Sequence, residues 1–110
     1  MKKYSVVITE QANNDIRNIF EYIAFELESI DNAARQIKRI EKAIYNLDTF
    51  PERYRLYQSQ ILMDRNIHIL PVDNYSVFFI CDKDQLEVTI IRVIYGRRNL
   101  DKQLSLYTNT

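Results

Sequence analysis

The stretch from Asn74 to Asp101, NYSVFFICDKDQLEVTIIRVIYGRRNLD, constrains the fold of this 110-residue chain more than any other. Two runs rich in β-branched and aromatic residues flank the polar turn Asp82-Lys83-Asp84-Gln85. That pattern predicts an antiparallel hairpin. Both runs are apolar on both faces: Tyr75, Val77, Phe79 and Cys81 share one side, while Phe78 and Ile80 point to the other. A single layer of helices cannot cover both, so the tail or a partner must shield part of the second face. The second run stops at Gly96, the only glycine in the chain, and Arg97 and Arg98 follow it. A hairpin ending in a tyrosine and clustered arginines presents charge at the edge of a rigid sheet, which suits an anionic or extended partner.

The remaining elements follow from periodicity. Tyr4, Val6 and Ile8 alternate as in a short strand. Thr9 is placed to cap a helix, with Glu10 in the first turn, where the helix dipole favours an acid. Ala12, Ile16, Ile19, Phe20, Ile23 and Leu27 recur at helical spacing, giving a helix from about Glu10 to Glu28. Asp31 or Asn32 is expected to cap a second helix with the stripe Ala34, Ile37, Ile40, Ile44 and Leu47, and Pro51 lies beyond its end. The short link at Ser29–Asn32 implies an antiparallel helical hairpin. After a connector over residues 50–64, three strands are expected at about Asn66–Val72, Tyr75–Cys81 and Leu86–Tyr95, with Pro71 marking an edge. Leu100 and Leu104 allow a helical turn in the tail.

The order β-α-α-β-β-β predicts an α+β fold in one domain, residues 1–110: an N-terminal strand, the helical hairpin, then a three-stranded antiparallel meander. Counting directions along the chain sets the second strand antiparallel to the first, and the helices cover one face of an antiparallel sheet.

Composition narrows the chemistry. Net charge is zero, unlike the strongly basic balance of a general polyanion binder. Its distribution is uneven: Glu10, Asp15, Glu21, Glu26 and Glu28 outnumber Arg17 at the start, while Arg92, Arg97, Arg98 and Lys102 outnumber Asp101 at the end. The single cysteine, Cys81, cannot form an internal disulfide and reads as a buried reduced thiol of a cytosolic protein. The opening residues are too short an apolar run for a signal peptide, and no segment approaches a membrane span. His68 is the only histidine, which excludes a two-histidine acid–base ribonuclease and any Cys/His zinc cluster, so neither metal nor cofactor is expected. One glycine excludes a glycine-rich phosphate loop.

The candidates for activity are therefore Arg92, Tyr95, Arg97 and Arg98. Arginine stabilises developing negative charge with paired N–H donors, and tyrosine can transfer a proton or stack on a nucleobase. Alternation sets Tyr95 and Arg97 on one side of the strand and Arg92 on the other, unless a bulge intervenes. The connector Arg53-Tyr54-Arg55-Leu56-Tyr57 interleaves bases with aromatics, but tyrosines there more often pack over a core edge. Tyr22 and Phe25 lie off the core stripe of the first helix and form a candidate contact patch.

Several motifs, taken in order, resemble the RelE/ParE superfamily of type II toxin–antitoxin toxins. They are the first strand leading into Thr9-Glu10-Gln11-Ala12-Asn13-Asn14-Asp15-Ile16, the segment from Ile19 to Ile23, and Phe50-Pro51 after the second helix. Asn74-Tyr75 and the block Val88 to Arg98, ending in Tyr95-Gly96-Arg97-Arg98, complete the set. The resemblance implies a compact β-α-α-β-β-β toxin and a cognate antitoxin that wraps it, with Tyr22 and Phe25 as antitoxin-binding candidates. RelE-like members cleave mRNA on the ribosome, and ParE-like members poison DNA gyrase. Basic residues common in RelE-like strands are replaced here by Ile67, Ile69 and Ser76, and the ending resembles ParE-like chains. The expectation is thus a growth-arresting gyrase poison, with Arg92, Arg97 and Arg98 contacting the target. The alternative is a ribosome-dependent endoribonuclease using Tyr95, Arg97 and Arg98. A third reading is a non-toxic partner-binding domain of the same fold.

Overall fold

The computed structural model describes residues 3–57 and 66–96. Its elements are β1 (Ser5–Ile8), α1 (Glu10–Glu21), α2 (Ile30–Tyr45), β2 (Ile67–Val72), β3 (Tyr75–Asp82) and β4 (Glu87–Tyr95). Thr9 caps α1, its hydroxyl accepting the Ala12 N–H at 3.2 Å. The α-helix ends earlier than its periodicity suggests. Residues Tyr22–Glu26 form a π-helical turn, and Glu28 stops the helix with φ of 52°. The wider turn shifts the register of the residues after it, so Leu27 leaves the core stripe and is exposed. Ser29, rather than Asp31 or Asn32, caps α2 by accepting the Asn32 N–H. This start places Ala33 in the core, whereas Ala34 is exposed.

The sheet order is β1-β4-β3-β2. Strands β2, β3 and β4 form the expected antiparallel meander, with Pro71 on the outermost strand. The sheet as a whole is mixed, because β1 pairs with β4 in parallel, from Ser5↔Glu87 to Ile8↔Ile90. It follows that β2 runs in the same direction as β1, opposite to the simple count. The segment 46–66 is long enough to carry the chain back along the sheet before β2 begins. Part of it then lines the outer edge of β2: Leu56 bridges His68, Tyr57 N–H donates to the Ile67 carbonyl, and Ile69 N–H donates to that of Arg55. A strand edge that would otherwise be open is thereby covered.

The main core lies between the helices and the sheet. Ile16, Ile40, Ile44 and Leu47 meet Val77, Phe79, Val88 and Ile90 there. On the opposite face Ile67, Ile69, Phe78, Ile91 and Ile94 are also buried, and Tyr57 meets Phe78 edge-on at 5.4 Å between ring centroids. The second face is therefore not an open apolar surface. His68 stacks on Phe79 at 5.1 Å, and its Nδ1 lies 2.8 Å from the Tyr54 carbonyl oxygen. That fixes the histidine as part of the connector's anchorage. Among the described residues, no helix is long and apolar enough to cross a membrane.

A latch joins the connector to β1 and β3. The Tyr4 hydroxyl donates to Glu52 Oε1 at 2.5 Å, and Cys81 Sγ lies 3.5 Å from the same oxygen. The phenol's hydrogen bond holds the Glu52 carboxyl below its ordinary range, and the same bond pushes the Tyr4 phenol upward. Burial, followed by the Glu52 contact, raises the half-buried Cys81 thiol and keeps it protonated.

Candidate functional site: the α1–β4 clasp and the tyrosine groove

β1 stops at Ile8, but β4 continues to Tyr95, leaving the far half of its edge without a strand partner. Helix α1 occupies this space. Thr9 donates through both N–H and hydroxyl to the Ile90 carbonyl, at 3.1 and 2.8 Å. Six residues on, Asp15 Oδ2 accepts the Val93 N–H at 2.9 Å and Arg92 Nε at 2.7 Å, while Oδ1 accepts Arg92 Nη2 at 3.0 Å. A carboxylate thus replaces the missing strand, and its charge is matched by a bidentate guanidinium.

This clasp reassigns a residue. The side chains of Arg92 and Asp15 are only 13% and 9% exposed. Arg92 was expected to contact a target. In the folded chain its guanidinium meets Asp15, and the pair ties α1 to β4. The pair spans 77 residues of sequence, beyond the reach of local pattern. A signal was nevertheless available, because Asp15 falls three residues after Ala12 and four before Ile19, on the apolar face of α1. An acid at such a position must find a partner.

The strand ends beside an aromatic cluster. A bulge at Phe78/Phe79 leaves Ile91 as the extra residue on β4, and from Arg92 the register runs unbroken to Tyr75↔Tyr95, so alternation holds from Arg92 to Tyr95. Tyr95 is 67% exposed and meets Tyr75 edge-on, with centroids 5.3 Å apart. Burial, then the neighbouring Tyr95, Asp73 and Tyr22, push the Tyr75 phenol upward. Gly96 follows with φ of 77°, a conformation that glycine adopts readily, and its N–H donates to the Asn74 carbonyl. Arg97 and Arg98 lie outside the described residues.

Two concavities flank this cluster. One, of about 470 Å³, opens among Arg55, Tyr57, Asn74, Ser76 and Tyr95. The other, of about 670 Å³, runs between the hairpin end and the junction of the helices, past Ile19, Tyr22, Ile23, Leu27, Tyr75 and Tyr95. Asp73 fixes the wall between sheet and helix, accepting from Gln36 at 3.0 Å and Arg39 at 2.5 Å on α2. Of the predicted contact patch, Tyr22 borders the larger groove, and Phe25 stands out from the π-helical turn at 66% exposure. The structure thus brings Tyr22 and Tyr95 to one groove. Among the described residues, no group of three or more His, Cys, Asp or Glu side chains could hold a metal.

Known structures share this fold. A structure of the chromosomal ParDE TA system from P. aeruginosa contains a chain that superposes with a TM-score of 0.71 at 16% identity, over 86% of this chain and 98% of that one. The RelBE2 toxin–antitoxin complex from Mycobacterium tuberculosis gives 0.66 at 16% identity, over 86% and 93%. A mutant of the Escherichia coli RelE toxin in the free state gives 0.63 at 13% identity, over 97% and 96%. At these identities the likeness is one of fold. No curated protein sequence is significantly similar. The family described as the ParE toxin of the type II toxin–antitoxin system parDE, however, matches residues 6–100, from β1 to beyond the end of β4. The chain therefore belongs to the ParE toxin family of type II toxin–antitoxin systems.

Proposed function

We propose that this toxin arrests growth by binding DNA gyrase, and that a cognate antitoxin restrains it by covering the Tyr22 and Phe25 surface. The observation that carries the reading is the engagement of Arg92 by Asp15. A nuclease built on Tyr95 requires a partner for proton transfer and a cation for the scissile phosphate. In the folded chain Arg92 faces a carboxylate, and His68 bonds the Tyr54 carbonyl. The described side chains that line the two grooves beside Tyr95 are chiefly phenols, amides and aliphatic groups, and the smaller groove adds one cation, Arg55, and one carboxylate, Asp73. Such walls suit a protein contact better than phosphodiester chemistry. In this reading Arg97 and Arg98, which follow the hairpin, reach the acidic surface of the target.

The antitoxin half of the proposal is supported by the ParDE and RelBE2 assemblies, in which a similar chain is bound by its antitoxin. Linked to an antitoxin, growth arrest of this kind would stabilise a plasmid carrying the pair. Controlled expression tests the target. Inhibition of gyrase-dependent supercoiling, lost in Arg97→Ala/Arg98→Ala, with no mRNA cleavage in the ribosomal A site, is the expected result. Cleavage that is lost in Tyr95→Phe would replace gyrase binding with a ribosome-dependent nuclease. Undiminished growth arrest by the double arginine variant would leave those arginines outside both mechanisms.

A further inference from the structure

The smaller concavity, of about 470 Å³, opens on the side of the sheet turned away from the helices, at the end of the β2–β3 hairpin. Alternation puts it there. Ser76 shares a face of β3 with Phe78, and Ile69 shares a face of β2 with Ile67, in the core opposite the helices. The connector runs along the outer edge of β2, where the Arg55 carbonyl accepts the Ile69 N–H at 3.0 Å. Within it Tyr54 turns to the helix side, edge-on to Phe79, and Tyr57 turns to the other, edge-on to Phe78. Arg55 shares the side of Tyr57, and both line the concavity together with Ser76 and Tyr95.

Two polar groups in this space are unused. Arg35, Arg39, Arg53 and Arg92 bond to Asn32, Asp73, the Phe50 carbonyl and Asp15. The exposed guanidinium of Arg55 has no partner among the described residues. Ser76 is only 7% exposed, and its hydroxyl has no hydrogen-bond partner among those residues either. No fully enclosed side-chain oxygen or nitrogen among them is left unpaired, so this hydroxyl opens into the concavity that Ser76 lines. Asp73 also lines the space, but Gln36 and Arg39 take its two oxygens. The charge left unmatched in the walls is therefore that of Arg55.

We infer that this concavity is a carboxylate pocket for the toxin's protein target: an acidic side chain of the target enters it and takes the paired N–H donors of Arg55 and the hydroxyl of Ser76, between walls formed by Tyr57 and Tyr95. The inference rests on the target-binding reading above and adds the residues and the chemistry of one contact. A guanidinium is a planar fork that meets a carboxylate with two parallel bonds. Arginine and tyrosine around an apolar floor, here Ile69 and Pro71, are the side chains that dominate protein–protein contacts. A nucleic-acid strand fits these walls less well, because it brings a charge at every phosphate. The described walls offer it one cation, with the Asp73 carboxylate alongside. A single carboxylate on an otherwise neutral surface matches that balance.

The test uses isotope-labelled, full-length toxin and three probes: a short capped peptide with one glutamate between leucines, the same peptide with glutamine, and a trinucleotide RNA. In NMR titrations the glutamate peptide should shift the Arg55 Nε–H signal and the Ser76 and Tyr95 amides, saturably and less at high salt. The glutamine peptide should not, and the shifts should vanish in Arg55→Ala. In the supercoiling assay Arg55→Ala should weaken inhibition by about tenfold or more, with only part recovered in Arg55→Lys and a smaller loss in Ser76→Ala. Unfolding midpoints of the Arg55 variants should match wild type. Equal shifts with both peptides, or none with either, overturn the inference. So does tighter binding of the trinucleotide at the same residues, which would make the pocket a phosphodiester site. If wild-type toxin inhibits gyrase and Arg55→Ala/Ser76→Ala inhibits it equally, the gyrase reading stands and this inference fails. If wild-type toxin leaves gyrase unaffected, the gyrase reading fails, and the peptide titration decides the pocket by itself.

Discussion

The two ends of helix α1 are built on opposite terms. At its start, Thr9 and Asp15 bond to β4, and every polar group in the contact has a partner. At its finish, the helix widens into a π turn and leaves three large apolar side chains, Tyr22, Phe25 and Leu27, in solvent. The first end is organised for stability, and the second has surface to spare. The same helix therefore anchors the fold at one end and leaves apolar side chains exposed at the other, and under the proposed function the second end is where the antitoxin binds. The contrast teaches that charge alone does not mark function here. The most conspicuous ion pair holds two elements together, while the surface proposed for the antitoxin carries exposed rings and aliphatics.

Substitution at the clasp should break this contrast most severely. Asp15→Ala leaves the Arg92 guanidinium and the Val93 N–H without their carboxylate in a nearly closed environment. Losses of this kind are about 3–5 kcal/mol. A large drop in the denaturant midpoint is expected, and a midpoint within error of wild type would return the pair to ordinary surface. Core truncation comes next. Ile40 is fully buried between the helices and the sheet, so Ile40→Ala should cost about 2–5 kcal/mol, read from the same unfolding curves. Ile23 sits nearer the exposed end, in a smaller cluster with Ala24 and Ala33, and Ile23→Ala should fall at or below the bottom of that range.

The latch gives a smaller, pH-dependent effect. Glu52 has a lowered pKa in the folded chain. Its contribution is thus present above the unfolded carboxylate value and is lost as pH falls through the lower, folded one. Tyr4 is shifted the other way, so its share persists below the ordinary phenol value and fades only as pH rises through the folded one. Thermal midpoints measured from neutral to acid pH should fall less steeply for Glu52→Gln than for wild type. Parallel profiles would remove the latch from the acid limb. The smallest stability effect belongs to the tip, where Tyr22→Ser/Phe25→Ser should stay within about 0.5 kcal/mol of wild type. A substantial loss there would mean that the rings support the fold, and the division along α1 would disappear.

Much of this molecule was legible in its sequence. The cap at Thr9, the stripe through Ile16, Ile23, Ile40 and Ile44, and the three later strands all follow from spacing and turn chemistry, because each is decided by near neighbours. What escaped was set by residues far apart. The parallel pairing of β1 with β4 depends on how segment 46–66 returns the chain, and the Asp15–Arg92 pair closes over 77 residues. The shift of Leu27 out of the stripe came from a π turn that periodicity does not announce. At the candidate site, the exposure of Tyr22 and Phe25 agrees with their position off the apolar face, whereas the bond of Arg92 to Asp15 was not legible, because an arginine on a strand has the same appearance whether its partner is a target or the protein itself.

The side-by-side placement of β1 and β4 also bears on when the protein can become active. Translation delivers Ser5–Ile8 first and Glu87–Tyr95 last, yet the latter is the interior strand on which both the former and β3 depend. Until the final strand leaves the ribosome, the opening strand has no neighbour, and α1 lacks both the Ile90 carbonyl and the Val93 amide that hold it. Sheet closure is therefore a late event in synthesis, dominated by contacts of long sequence separation. A nascent chain of this kind cannot close its sheet until β4 has emerged, which gives a partner made alongside it time to be present when that surface first forms.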